Sequence, residues 1–179
     1  MRHRRGFKTE ANGYARDMRL ELGLEPHNPL CPWRLADHLG YPVKKLSDFA
    51  NTKREDVAYL RSDRGKREFS AITLFSDGVR WIVHNDAHHP YRQAANLAHE
   101  LAHGLLLHVP APLRGANGGR TFDPEQENEA SWLGPALLIS DEAAIFIVEN
   151  RQPHSQVCKT YADCVETLVP SGRDKFAQH

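Results

Sequence analysis

The sequence predicts an α+β fold: a mostly helical single domain with a small antiparallel β-sheet just ahead of a histidine-bearing helix. Three observations lead there. Apolar residues recur at helical spacing over much of the chain. Two β-rich runs, FSAITLF and VRWIVHN, flank Ser76, Asp77 and Gly78, a strong hairpin turn. Directly after them comes AANLAHELAHGLLLH, Ala94 to His108, rich in the helix formers Ala and Leu.

The composition fits that class. A chain of 179 residues, 40% hydrophobic and 26% charged, suits one globular domain. At this size it buries about two-thirds of its unfolded surface and needs no disulfides. Lys and Arg number 23 and Asp and Glu 23, so no overall field holds nucleic acid, and direct nucleic-acid binding is not expected. The basic start, residues 1–6, reads as a solvated tail. Cys31, Cys158 and Cys164 are odd in number and lack Cys-x-x-Cys spacing, which fits free thiols in a reducing compartment. No signal-peptide core and no apolar run of about 18 residues is visible, so a cytoplasmic protein without membrane contact is expected.

The elements follow in order. Phe7, Ala11, Tyr14, Ala15, Met18 and Leu22 mark a first helix, stopped by Gly23. Pro26, Pro29 and Pro32 mark a loop, and Pro32 suits the first turn of a short helix ending at Gly40. YPVKKL reads as a short strand. Ser47 to Ser62 is ambiguous; EDVAYL fits a helical turn or a strand. The hairpin comes next, then a helix from Pro90 to His108. VPAPLRGANGG reads as a loop. Asp123-Pro124-Glu125-Gln126 has the residues of a helix start, and that helix runs to about Ile139. Ser140 or Asp141 caps DEAAIFIVEN, and a weaker helical pattern spans Ser155 to Leu168. The main domain is therefore 7–150, with 151–179 a helical appendage and tail.

The helix after the hairpin carries the chemistry. At about 100° per residue, His103 lies about 40° and Glu100 about 100° from His99. Leu101, Leu105, Ala94, Ala98 and Ala102 gather on the opposite side. Histidines one turn apart can both direct a ring nitrogen at a metal such as Zn²⁺. Glu100, off to the side, is placed to act as general base on a water there. A solvated helix face would instead carry Lys, Glu and Gln. His108 falls at about 180° and is expected to be structural or exposed rather than a ligand. Leu106 and Val109 occupy the Gly and final His positions of the longer three-histidine motif, so a third ligand must come from elsewhere.

FDPEQENEASWLGPALL supplies carboxylates. With Glu125 at zero, Trp132 lies at about 340°, Ala136 at about 20°, Leu133 at about 80° and Leu137 at about 120°. Glu129, at about 40°, falls inside that apolar stripe, where a carboxylate is costly unless paired or metal-bound. Glu127 falls at about 200°. Glu129 is thus the expected third ligand and Glu125 the runner-up, or else a residue that orients a ligand histidine. The competing reading pairs Glu129 with an arginine such as Arg92.

Arg92, then LAHELAHGLLLH, then ENEASWLGPALLIS resemble the ImmA/IrrE-type metallo-endopeptidases, over roughly Ser70 to Ile147. That resemblance implies a zincin-like fold and a zinc endopeptidase of gluzincin type. Its ligands would be His99, His103 and Glu129, and its catalytic residue Glu100. It also implies a separate helix-turn-helix repressor as protein substrate. The sequence departs from the family pattern at Ala102, Ser131 and Ser140, and at Gly134-Pro135, where Pro135 is expected to kink the helix. His84, His88 and His89 are candidate oxyanion stabilisers, each also readable as surface polarity. A hairpin edge can hold an extended substrate by strand addition. Two other readings use the same residues: a metal-binding sensor that controls a repressor without cutting it, and a protease-like toxin of a two-component module.

Overall fold

A computed structural model describes residues 3–109, 123–157 and 160. The loop beyond Val109, Cys158, Cys164 and most of the Ser155–Leu168 pattern lie outside the described residues; the first turn of that pattern, 154–157, is helical.

Helix α1 (Phe7–Glu21) buries Phe7, Ala11, Ala15 and Met18, the stripe its periodicity predicts. Gly23, at φ 67°, ends it, and the Leu24 N–H closes back on the Arg19 carbonyl at 2.8 Å. Arg19 is fully buried on the same helix. Its guanidinium donates to the carbonyls of Ala15, Asn28, Leu137 and Leu138. Four neutral acceptors thus satisfy a buried cation and tie α1 to the end of a later helix. Helix α2 (Pro32–His38) has Pro32 in its first turn, as expected.

Strand β1 (Val43–Lys45) follows, then a 3₁₀ turn (Leu46–Phe49) and helices α3 (Arg54–Arg61) and α4 (Gly65–Glu68). The ambiguous EDVAYL stretch is therefore helical. Strands β2 (Ala71–Ser76) and β3 (Val79–His84) form the predicted hairpin. Asp77 and Gly78 both have positive φ, 52° and 77°, as a two-residue turn matched to strand twist requires.

The sheet is mixed rather than wholly antiparallel. Its order is β1-β3-β2, with β1 parallel to β3. The helical segment between β1 and β2 carries the chain across, so β2 enters on the far side and β3 takes the centre.

Helix α5 (Pro90–Leu105) packs chiefly on α6 (Pro124–Leu138), and α6 also packs on α1. Asp123 caps α6 by accepting from the Glu125 and Gln126 N–H groups. Pro135 sits inside α6, which continues to Leu138. Ser140 caps α7 (Asp141–Glu149), and its hydroxyl also donates to the Pro26 carbonyl. The core joins Phe7, Leu30, Leu35, Ile82, Leu97, Leu101, Leu133 and Leu137. Among the described residues, no single helix is long and apolar enough to cross a membrane.

Candidate metal centre

The site lies where α6 comes close against the α5 backbone. Gly134 rests on the α5 backbone: a Cβ there would stand 3.1 Å from both N and Cα of His99. Seven residues earlier, within about 20° on the same face of α6, is Glu127. The close crossing brings that face to the histidines.

His99 Nε2 and His103 Nε2 are 3.1 Å apart. Glu127 reaches both, with Oε2 3.3 Å from His99 Nε2 and Oε1 3.5 Å from His103 Nε2. Donor atoms around a tetrahedral zinc, at bonds of about 2.0–2.1 Å, are separated by roughly 3.3 Å. Two imidazoles and a carboxylate at this spacing fit a zinc ion in both chemistry and size. All three side chains are partly exposed, as a site open to solvent and substrate requires.

Glu129 stands apart from this cluster. It is buried, one oxygen accepting from Arg4 Nε at 2.7 Å and the other facing His108 Nε2 at 3.2 Å. The structure therefore brings Glu127, not Glu129, to the histidines. The helical wheel points to Glu129 because it counts Trp132 as inward. Trp132 is instead 37% exposed and flanked by His3 and Lys8. The buried residues Ala130, Leu133, Gly134 and Leu137 centre near about 130° on the same wheel. Glu127 and Glu129 flank that centre on opposite sides. Glu125 is exposed at the start of α6. Arg92 bonds the Ser70 hydroxyl, so the arginine paired with Glu129 is Arg4. Arg4, itself exposed, also holds Glu10 through both terminal nitrogens.

Glu100 faces the sheet, where the Thr73 hydroxyl on β2 donates to its carboxylate. Sequence reasoning missed Thr73 and Gly134. The available signals were a hydroxyl in a β-run ahead of the metal helix and a glycine inside a helix, each with many ordinary explanations. His108 is buried, its Nδ1 2.9 Å from His103 Nδ1. Helix α5 stops at Leu105 and Leu107 turns left-handed at φ 54°. His108 therefore leaves the helical wheel and folds back on the metal helix.

The other histidines are engaged elsewhere. His84 is buried edge-on to Trp33, and burial holds its pKa below the ordinary imidazole value. His88 reaches the Phe69 carbonyl, and burial lowers its pKa too. His89 caps α5 by accepting from the Tyr91 N–H.

A family model for the IrrE N-terminal-like domain, a peptidase family, matches residues 46–163, well over half of the chain. The chain belongs to this family. The match takes in the β2–β3 hairpin, α5 and α6, and so every residue of the histidine–glutamate cluster. It identifies a domain of the metallopeptidase type, as the resemblance of the two motifs implies. Helices α1 and α2 lie before it. No curated protein and no solved structure matches the chain.

Proposed function

We propose that this protein is a zinc-dependent endopeptidase whose metal is held by His99, His103 and Glu127. The observation that carries the reading is the convergence of two imidazole nitrogens and a carboxylate within 3.1–3.5 Å, with Glu100 beside them on the same helix. Zinc bound there supplies Lewis acidity for water activation and carbonyl polarisation. Glu100 takes the proton of the attacking water and returns it to the leaving amine. Thr73 holds that carboxylate, which fixes the base on the sheet side of the site. Strand β2 is an edge of the sheet, so an extended peptide paired along it would run past Glu100.

The substrate in this reading is a helix-turn-helix repressor on a separate chain, met in a reducing cytoplasm. The buried thiol of Cys31 is consistent with that compartment. Zinc-loaded protein is to be incubated with a proteome-derived peptide library and its cleavages read by mass spectrometry. Wild type should cut; Glu100→Gln should keep its zinc and cut at least about 100-fold more slowly. Equal cutting by both would remove Glu100 from the chemistry. Zinc binding without cutting by wild type, on peptides and on repressors, would favour the non-cleaving sensor.

A further inference from the structure

Behind the His99–His103–Glu127 cluster runs a chain of contacts that the peptidase chemistry leaves unused. His103 Nδ1 lies 2.9 Å from His108 Nδ1, His108 Nε2 lies 3.2 Å from Glu129 Oε2, and Glu129 Oε1 accepts from Arg4 Nε at 2.7 Å. His108 and Glu129 are both buried, 8% and 7% exposed.

The proton positions follow from donor and acceptor bookkeeping along this chain. Glu129, facing a guanidinium, is a carboxylate and can only accept. His108 Nε2 must then carry the hydrogen. In a neutral imidazole that leaves Nδ1 as an acceptor, so the hydrogen between the two rings belongs to His103 Nδ1. With His108 neutral, one tautomer of His103 remains: Nδ1 protonated, Nε2 a lone pair. That lone pair is aimed at His99 and Glu127. Reversing the ring-to-ring bond would turn a bare His108 nitrogen toward the carboxylate, lone pair against lone pair.

We infer that His108 and Glu129 are positioning residues, a relay that fixes the tautomer and ring orientation of His103 for metal binding, anchored by Arg4. Ligand histidines whose second nitrogen donates to such a partner bind metal more tightly, and loss of the partner typically weakens affinity about 10–100-fold. The relay explains two otherwise wasteful features. A buried carboxylate sits one residue from Ala130 and is not in the cluster. A left-handed turn at Leu107, in a residue with a branched side chain, is the bend that brings His108 back. Arg4 extends the relay to the N-terminal segment, so residues ahead of α1 take part in holding the site.

This inference rests on the metal reading, and the test separates the two. Zinc affinity of the full chain is to be measured by competition with a chromophoric chelator, together with the d–d spectrum of the Co²⁺ form. The variants are His108→Phe, Glu129→Gln, Glu129→Ala and Glu127→Ala, with folding followed by circular dichroism. His108→Phe should bind zinc about 10–100-fold more weakly and shift the cobalt bands. Glu129→Gln keeps an acceptor for His108 and should lose less than Glu129→Ala. Glu127→Ala should lose nearly all binding. Should His108→Phe fail to fold, the graded pair at Glu129 carries the test alone.

Unchanged affinity and cobalt spectrum in His108→Phe, or in Glu129→Ala where His108→Phe does not fold, would overturn the relay and leave the metal site standing. Glu129→Ala losing zinc as completely as Glu127→Ala would make Glu129 a ligand and also overturn it. Failure of wild type to bind zinc or cobalt would remove the metal reading and the relay together.

Discussion

His84 ends the central strand with its ring buried and neither nitrogen hydrogen-bonded among the described residues. Burial disfavours its charged form, so its folded pKa lies below the ordinary value of about 6.5. The unfolded chain therefore binds the proton more readily. Its titration costs nothing above about pH 7 and destabilises the fold as pH falls through its unfolded value, by up to about 1.4 kcal/mol per pH unit. In metal-free protein, His84→Leu should flatten the loss of urea stability between about pH 7.5 and 5.5 and leave stability at the upper end equal or higher. A pH profile parallel to wild type would show that this burial has no such effect. Legibility at this scale depends on locality. His99, Glu100 and His103 are readable because one helical turn relates them, whatever the rest of the chain does. His108 is five residues from His103, yet its position depends on a left-handed Leu107, which a sequence of leucines does not announce. Glu127 and Glu129 are separated only by knowing which residues of α6 are buried.

Helix α6 shows how an element's aim is set by its smallest residues. Gly134 has no side chain to score on an apolar wheel, but it decides how near α6 comes to His99. Ala in its place would gain up to about 1 kcal/mol of helix propensity. Against this, its Cβ would press on backbone atoms that cannot rotate away, and overpacking of that kind costs about 1–3 kcal/mol. Gly134→Ala should therefore lower urea stability and also weaken zinc binding, since Glu127 rides on the same face. Gly13, inside α1, is the matched control. Nothing lies within 4 Å of its Cβ position, so Gly13→Ala should raise stability by about 0.5–1 kcal/mol without touching zinc. Equal gains at both positions would mean that α6 shifts freely and does not aim the site. The caps of α6 and α7 are readable from sequence because Asp123 and Ser140 act within three residues of themselves. The crossing is not, because it joins residues far apart in sequence.

At the scale of the molecule, the α+β class and the hairpin ahead of α5 are legible from periodicity and from the Asp77-Gly78 turn. The parallel pairing of β1 is not, since a three-residue strand carries no signal about which neighbour it will meet. The molecule uses its N-terminal segment and its middle together. The sheet holds Glu100 through Thr73, α5 presents the histidines, α6 brings Glu127, and Arg4 closes the far side through Glu129. All of this surrounds the proposed metal site, so the most direct measurement is metal content. Untagged wild type, Glu127→Ala and Glu129→Gln are to be supplied with zinc, dialysed and analysed by mass spectrometry. The account predicts close to one zinc per chain in wild type, little in Glu127→Ala and a partial, chelator-sensitive load in Glu129→Gln. No zinc in wild type, or full zinc in Glu127→Ala, would contradict it.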